Sequence, residues 1–310
     1  MKARPSLLLC SLLILAAACR EKAAAPPPDH PRLTSNVRMQ DVTFHSVSLD
    51  RDMPYRVVLP VSISTDKRLP VVYLLHGGGG GYRDWTNYSD VARFAKSDFI
   101  LVMLEGNSSY YMNALERPKD QYEEYITKDL VDDVESRFPA AIGRSNRAII
   151  GVSMDGFGAV VLSFKHSDLY AFAGGLSSAL DVPSRPFSIK RIGQYRGHAQ
   201  IFGPWGSDTR RANDPYLLAS VVDPAKTPYL YLTCGEQEGL LPANRRFASL
   251  LKKHAFNYEF HPGPGGHDWN QWNGRLPSLL ASLLAHLRRC FGHKTKPYLF
   301  NSDTPQAVRH

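Results

Sequence analysis

The 310-residue sequence lacks several features that would point to a nucleic-acid-binding or metal-dependent protein. Its formal net charge is +8, but lysine and arginine are scattered, with only short doublets such as Arg210-Arg211 and Arg288-Arg289. Because nucleic-acid-binding surfaces need basic residues gathered on one face, no nucleic-acid partner is predicted. The sequence has no Cys/His cluster with zinc-ligand spacing, so neither a metal nor a cofactor is predicted. It also has no internal repeat.

Long apolar runs are missing too. The N-terminal run Leu7–Ala18 is too short to span a bilayer comfortably; it follows the basic residues Lys2 and Arg4 and precedes Cys19. This layout is typical of a secretory signal, and a cysteine after three alanines resembles the bacterial lipobox, in which that cysteine is lipidated. Residues 1–19 are therefore predicted to be a signal peptide with a lipobox that makes Cys19 a membrane anchor. The alternative is a plain secretory signal, and both export the protein, to the periplasm or the cell surface.

Cysteine is scarce in the rest of the chain. Residues 20–38 are rich in alanine and proline and predict an extended tether, which precedes a domain at residues 39–290 and a polar tail at residues 291–310. The domain contains Cys234 and Cys290. An oxidising compartment permits a disulfide between them, but two buried free thiols are the favoured alternative.

Strand and helix patterns alternate after an antiparallel hairpin predicted at residues 42–63, with its turn at Asp50–Asp52. Buried strands are predicted within residues 69–77, 98–107, 147–153, 170–178, 227–236 and 256–267. Helices are predicted at residues 88–96, 123–137, 154–165, 244–254 and 276–290. This alternation indicates a mostly parallel sheet with helices on both faces. Residues 181–218, which carry four prolines, interrupt the alternation of strands and helices. They predict a small insertion between late strands, over the active-site edge of the sheet.

The stretch GVSMDG, Gly151–Gly156, resembles the nucleophile turn of a serine hydrolase. Ser153 lies between a predicted strand and a predicted helix, where a serine hydroxyl is exposed and the helix N-terminus offers N–H groups to a developing negative charge. Capping of that helix is the alternative role of Ser153. Asp155 stands where glycine is usual. Its carboxylate is expected to contact a backbone N–H, an Arg or a Lys, because an unpaired buried carboxylate is costly.

Three further segments favour catalysis by Ser153. Five glycines at residues 77–81 follow a buried strand and suit a loop that brings a second N–H donor to an oxyanion. His267 follows the last predicted strand, which is the chain position of the general base; His261 is its nearest rival. The carboxylate that orients the base is expected after the preceding strand, at Glu236 or Glu238.

The stretches YLLHGGGGG, GVSMDGFGA, CGEQEGLLPANRRF and GPGGHDWNQW together resemble the esterase D family of the α/β-hydrolase superfamily. That family contains S-formylglutathione hydrolases, acetyl xylan and feruloyl esterases, tributyrin-type esterases and mycolyltransferases. The resemblance implies an α/β-hydrolase fold and a catalytic triad of Ser153, His267 and Glu238, with Glu where Asp is usual. It also implies oxyanion donors at the N–H groups of Gly78 and Met154.

The sequence thus predicts a serine carboxylic ester hydrolase, exported, that acts on small acyl esters of carbohydrates or aryl alcohols. Two alternatives stay open: a non-catalytic surface binding protein on a hydrolase scaffold, and an acyltransferase to an alcohol. The expected partner is the ester substrate, and contact with a membrane is expected only through the lipid anchor. The substrate-binding residues, the acyl and alcohol specificity, and the oligomeric state are not determined by the sequence.

Overall fold

Residues 28–186, 189 and 192–287 of the chain are described here from a computed structural model. The predicted signal peptide with Cys19, the first part of the predicted tether, and the C-terminal tail lie outside these residues, as does Cys290. Among the helices that the model describes, none is long and apolar enough to cross a membrane.

Within the described residues, one sheet is formed by the strands β1 (Val37–Ser46), β2 (Arg51–Pro60), β3 (Val71–Leu75), β4 (Ile100–Leu104), β5 (Arg147–Val152), β6 (Phe172–Leu176), β7 (Tyr229–Gly235) and β8 (Tyr258–Gly263). Their order across the sheet is β1-β2-β4-β3-β5-β6-β7-β8. β2 pairs antiparallel with β1 and β4, and all other neighbours are parallel. The predicted N-terminal hairpin and mostly parallel sheet are confirmed.

The helices of this part of the chain are α1 (Asp84–Tyr88), α2 (Tyr122–Glu124), α3 (Leu130–Arg137), α4 (Met154–Lys165), α5 (Ile192–Phe202), α6 (Asp208–Ala212), α7 (Pro215–Val221), α8 (Leu241–Lys253) and α9 (Trp269–Leu287). Short 3₁₀ segments occupy Val91–Ser97 and Arg144–Asn146, and a π-helical turn, Tyr125–Asp129, joins α2 to α3. The helices cover both faces of the sheet, which explains why β3, β4 and β5 are buried throughout and apolar without alternation, apart from Arg147 at the start of β5, which pairs with Glu135.

Alternate residues of each central strand enter different hydrophobic clusters, because successive side chains of a strand point to opposite faces. Tyr73 packs in the cluster that contains Phe157 of α4, whereas Val72 and Leu74 pack in the cluster that contains Leu279 of α9. The sheet thus holds α4 on one face and α9 on the other. Their N-termini bring the chain segments of the candidate site together at the carboxyl ends of the parallel strands.

Several predicted boundaries are wrong. Residues 88–96, predicted as a helix, form the end of α1 and most of a 3₁₀ segment, and α8 begins at Leu241 rather than Asn244. Ser46 pairs with Arg51, so the residue pair Arg51 and Asp52, predicted as turn, already belongs to β2. The last helix begins at Trp269 rather than Leu276. It starts early because the Asp268 side chain accepts a hydrogen bond from the Gln271 N–H and caps the helix. Pro277 lies inside the helix.

The segment before β1 is bound to the sheet through Arg56, whose side chain is fully buried on β2. All five guanidinium N–H groups of Arg56 are used: two on Asp29, two on Asp41 and one on Thr86. Burial disfavours the charge, but the hydrogen bonds to both carboxylates outweigh it and raise the pKa of Arg56. The described end of the predicted tether, residues 28–38, is therefore held against the domain.

Candidate active site

Ser153 lies at a sharp turn between β5 and α4. Its backbone has φ 58° and ψ −118°, a conformation that is strained for a residue other than glycine, and its N–H donates to the Leu176 carbonyl at 2.8 Å. The helix approaches the strand so closely that a Cβ at position 151 would lie 2.1 Å from the Asp155 carbonyl oxygen, which requires Gly151. The Ser153 side chain makes no capping hydrogen bond, so its hydroxyl is available for other contacts.

A continuous hydrogen-bond chain connects three side chains from different strand ends. The Ser153 hydroxyl lies 2.7 Å from Nε2 of His267, and Nδ1 of His267 lies 2.7 Å from Oε2 of Glu238. The carboxylate keeps the ring proton on Nδ1, so Nε2 is free to accept the proton of the hydroxyl. Carboxylate, imidazole and hydroxyl therefore have the order that general-base activation of a serine requires.

Glu238 is fixed by contacts on both of its oxygens. Its side chain is only 1% exposed, and Oε1 accepts hydrogen bonds from the Gly235 N–H at 2.7 Å and from the Ser177 hydroxyl at 2.6 Å. Ser177 in turn accepts a hydrogen bond from the Trp272 indole at 2.9 Å. The same indole lies edge-on to the His267 ring, with 5.1 Å between centroids. This network determines the orientation of both His267 and its carboxylate.

The rival residues from the sequence lie outside this chain of hydrogen bonds. Glu236 is exposed, and His261 instead contacts Glu259 at 2.7 Å. Cys234 is a buried free thiol, and burial together with the nearby Glu238 carboxylate raises its pKa to about 12. The structure thus brings together Ser153, His267 and Glu238, and leaves the alternatives aside.

The glycine loop after β3 packs directly against the nucleophile turn. A Cβ built on Gly77 would lie 3.8 Å from the Ser153 Cβ, and one built on Gly78 would lie 3.7 Å from the Met154 Cβ. The loop turns back on itself because the Gly80 N–H donates to the Gly77 carbonyl at 3.0 Å. Gly78 and Met154, predicted from the resemblance as oxyanion donors, are therefore neighbours of the serine and line the same cavity.

The prediction that the Asp155 carboxylate contacts a backbone N–H, an Arg or a Lys is wrong. The side chain is fully buried, and neither oxygen accepts a hydrogen bond from a backbone N–H, an Arg or a Lys. Oδ2 instead lies 3.7 Å from Nδ1 of His76, because the first turn of α4 packs over the end of β3. Burial raises the pKa of Asp155 well above its usual value, and the neighbouring His76 and Tyr111 offset this only in part.

His76, which the sequence analysis did not single out, connects this carboxylate to the loops around Ser153. In the neutral ring, Nδ1 donates to the Gly77 carbonyl at 2.9 Å and Nε2 accepts from the Gly106 N–H at 2.9 Å; in the charged ring, Nε2 carries a proton and faces Oε1 of Glu105 at 3.2 Å. Burial lowers the pKa of His76, but Glu105 and Asp155 outweigh burial and raise it to about 9. The position of His76 directly before the glycines was the available sequence signal.

Two clefts open beside Ser153. The larger one has a volume of about 770 Å³ and is lined by the loop residues 107–110, by Tyr122, and by the opposed charges of Arg51, Arg117 and Asp120. α5, inside the predicted insertion, adds Gln194, His198 and Gln200. The smaller cleft, about 270 Å³, is lined by His267, Trp269 and Trp272 together with the glycine loop. Within the described part of the chain, no group of three or more His, Cys, Asp or Glu residues is placed to hold a metal ion.

Comparison with known proteins assigns the chain to a family. The sequence model of the family described as Putative esterase matches residues 46–283, most of the chain. The chain belongs to this esterase family. The esterase is 26% identical over 251 residues to the acetyl esterase of Caldicellulosiruptor saccharolyticus, which covers 76% of this chain and 94% of that protein. It is also 26% identical over 249 residues to a diacylglycerol acyltransferase/mycolyltransferase of Mycobacterium avium, covering 69% and 74% of the two chains.

Solved structures confirm the predicted α/β-hydrolase fold of the esterase. The fluorophosphonate-binding serine hydrolase F of Staphylococcus aureus has a TM-score of 0.70 and 24% identity, covering 80% of this chain and 98% of that one. At this level of identity the likeness concerns the fold. Together with the family match, it agrees with the prediction that the protein is a serine carboxylic ester hydrolase, which is confirmed.

Proposed function

We propose that the protein is an exported serine esterase in which Ser153 is the nucleophile, His267 the general base and Glu238 the carboxylate that orients the base. The observation that carries this proposal is the pair of 2.7 Å contacts that join the three side chains. Their position beside the glycine loop supports the assignment, because acyl transfer also needs N–H donors next to the nucleophile.

In the acylation half-reaction, the Ser153 oxygen attacks the ester carbonyl carbon while its proton passes to Nε2 of His267. The carbonyl oxygen becomes an oxyanion that accepts hydrogen bonds from the N–H groups of Gly78 and Met154. Glu238 stabilises the imidazolium formed at His267. The imidazolium then returns the proton to the leaving oxygen, the carbon–oxygen bond of the ester breaks, and the alcohol departs from an acyl-serine.

Deacylation repeats these steps with water. His267 takes a proton from the water, the hydroxide oxygen adds to the acyl carbon, and the same two N–H groups bind the second oxyanion. When this intermediate collapses, the Ser153 oxygen leaves and receives the proton from His267. The acid product departs, and the hydroxyl, the neutral imidazole and the Glu238 carboxylate are restored.

The arrangement of the two clefts suggests where the parts of the substrate bind. His267 must protonate the leaving oxygen, and it lines only the smaller cleft, so the alcohol is assigned to that side. The acyl group is then assigned to the larger cleft, which exceeds the space that an acetyl group needs and presents the hydrogen-bonding side chains of Asn107, Ser108 and Tyr122. These features favour polar or aryl acyl esters, with a carbohydrate or aryl alcohol as the leaving group.

A fluorophosphonate probe and a panel of esters test the proposal. We expect the probe to label the purified protein at Ser153, with labelling lost in Ser153→Ala and kept in Ser163→Ala, a matched change at a buried serine of α4. Hydrolysis of p-nitrophenyl acetate and of acetylated or feruloylated sugars should follow the same pattern. A folded protein that is neither labelled nor active on any ester of the panel would contradict the assignment and favour a non-catalytic binding protein.

Acyl transfer to an alcohol is the second candidate, favoured by the similarity to the Mycobacterium avium acyltransferase. The smaller cleft, assigned to the leaving alcohol, is also where an acceptor alcohol would meet the acyl-serine. Incubation of an ester with increasing concentrations of a sugar acceptor separates the two activities. Hydrolysis predicts free acid as the main product at all concentrations, whereas transfer predicts a new ester that replaces the acid.

Export and lipidation are proposed from the N-terminal sequence, together with a domain at residues 39–290 behind the tether. The apolar run, the three alanines before Cys19 and the Ala/Pro-rich residues that follow support this. Expression of the full chain in bacteria with labelled palmitate is expected to give a labelled membrane-bound protein, and Cys19→Ala should remove the label. Soluble protein with a free amino terminus at another alanine would instead favour a plain secretory signal.

A further inference from the structure

The peptide unit between Gly77 and Gly78 has its carbonyl hydrogen-bonded to His76 and its N–H on a residue that lines the site. Its carbonyl accepts hydrogen bonds from Nδ1 of His76 at 2.9 Å and from the Gly80 N–H at 3.0 Å. Its N–H belongs to Gly78, which lines the cavity beside Ser153. In a planar trans peptide the C=O and N–H bonds point in opposite directions, so whatever holds the carbonyl also directs the N–H. His76 therefore acts on the candidate oxyanion donor from behind.

His76 can hold the Gly77 carbonyl only while Nδ1 carries a proton. Two carboxylates compete for the ring: Asp155 Oδ2 lies 3.7 Å from Nδ1, and Glu105 Oε1 lies 3.2 Å from Nε2. A carboxylate favours a proton on the nitrogen that it faces. The Gly106 N–H, which donates to Nε2, favours the Nδ1 proton as Asp155 does, whereas Glu105 favours a proton on Nε2. Without Asp155 the preference for Nδ1 weakens, and in a ring protonated only at Nε2 the lone pair of Nδ1 would repel the carbonyl.

We propose that Asp155 is a positioning residue that acts through His76: it keeps Nδ1 protonated and thereby keeps the Gly78 N–H directed at the substrate oxyanion. The inference rests on the proposed function, because Gly78 is an oxyanion donor only within that mechanism. Asp155 itself is fully buried and does not line the cavity, so it has no direct contact with a substrate.

Stability does not account for a carboxylate at this position. Both oxygens of Asp155 lack a hydrogen bond, and burial of such a group destabilises the folded state. A Cβ is accommodated there without breaking the turn, but Gly151 and Gly156 on either side are required by close contacts at 2.1 and 2.4 Å. Apart from Tyr111, which also lowers the pKa of Asp155, the polar side chain that the carboxylate faces is His76, at Nδ1.

A double-mutant cycle on the full mature domain tests this coupling. In His76→Asn, the shorter amide can still donate to the Gly77 carbonyl, and it does so independently of Asp155. We expect Asp155→Asn to lower kcat for p-nitrophenyl acetate about ten- to hundredfold with KM changed less than about threefold, since an oxyanion interaction forms only in the transition state. In the His76→Asn background, the same change should alter kcat less than about threefold. Ser163→Ala, at another buried position of α4, serves as the control with unchanged kcat.

Equal losses of kcat from Asp155→Asn in both backgrounds would overturn the proposal. NMR of the ¹⁵N-histidine-labelled wild-type protein gives a test that does not depend on activity or on the folding of a variant. The ring resonances of His76, assigned through their loss in His76→Asn or from neighbouring contacts, should show a proton on Nδ1; a ring protonated only at Nε2 would contradict the proposal. If Ser153→Ala keeps its activity, the proposed function fails, and the protonation of His76 is still determined by NMR.

Discussion

The chain places two carboxylate–histidine pairs around the nucleophile turn, and the pairs differ in contact and in burial. Glu238 and His267 make a direct hydrogen bond of 2.7 Å, and the histidine side chain is 40% exposed. Asp155 and His76 are 3.7 Å apart, and both are fully buried. The far nitrogen of His267 meets a serine hydroxyl, whereas His76 holds a backbone carbonyl.

This difference separates two uses of the same chemical pair. An imidazole that reaches the solvent side and contacts a hydroxyl can gain and lose a proton during each turnover. An imidazole enclosed between two carboxylates and a carbonyl exchanges protons with difficulty and is suited to keep one in place. We therefore expect substitutions of His267 or Glu238 to abolish chemistry. Substitutions in the buried pair, Asp155 and His76, should weaken it and alter stability.

The largest effect is expected from removal of the Ser153 hydroxyl or the His267 imidazole. Ser153→Ala and His267→Ala should each lower kcat/KM for p-nitrophenyl acetate by about 10⁴-fold or more, because residues of a cooperating triad fail together. Circular dichroism and thermal unfolding should show an intact fold. Retention of a tenth of the wild-type kcat in Ser153→Ala would mean that another residue is the nucleophile.

A smaller loss of kcat is expected when Glu238, the carboxylate that contacts His267, is changed. Glu238→Gln should lower kcat by about 10³- to 10⁴-fold, since the amide no longer favours the Nδ1 proton that His267 needs. Glu236→Gln, two residues earlier and exposed, is the matched control and should stay within about threefold of wild type. The opposite ranking of the two variants would assign the orienting acid to Glu236.

The buried pair is expected to show itself in the pH dependence of stability. The pKa of His76 is raised from 6.5 to about 9, so the folded state binds a proton that the unfolded state releases between these values. The resulting stabilisation is complete below about pH 6.5 and is lost as the pH rises through about 9. Asp155→Asn removes one of the two carboxylates that raise the pKa of His76, and it also removes the raised pKa of Asp155 itself, which acts in the same direction. The free energy of unfolding of this variant should therefore fall less over this range.

Urea unfolding at several pH values between 6.5 and 9 measures this difference. Ser163→Ala should parallel the wild type, because it leaves the charges around His76 unchanged. Parallel curves for the wild type and Asp155→Asn would show that the carboxylate does not interact with the ring, and the comparison between the two pairs would lose its basis.

Much of the fold follows from local sequence patterns. The central strands are almost entirely apolar because helices cover both faces, and the predicted helix Met154–Lys165 has the bounds that the structure gives. Ser153, the candidate acids Glu236 and Glu238, and His267 each follow a predicted strand, so the sequence predicts that they meet at one edge of the sheet. These features depend on residues near one another in sequence, or on a connectivity that the alternation of strands and helices specifies.

Contacts between segments that are distant in the sequence could not be predicted from local sequence patterns. The partner of Asp155 lies at the end of β3, and only the packing of α4 over that strand end reveals it. The larger cleft combines Arg51 at the start of β2 with residues of α5, which no local pattern relates to each other. The last helix begins earlier than residue 276 because of the Asp268 cap, which the apolar pattern of residues 276–290 does not reveal.

The five hydrogen bonds of Arg56 have a consequence for the working range of the enzyme. Two of them attach Asp29 to the sheet, so if Cys19 carries the proposed lipid, a ten-residue interval from Cys19 to Asp29 separates the anchor from the folded body. A fully extended chain of this length spans at most about 35 Å. An anchored molecule would therefore operate within about one domain diameter of the bilayer, and esters borne by large polymers would have to reach the membrane surface before hydrolysis.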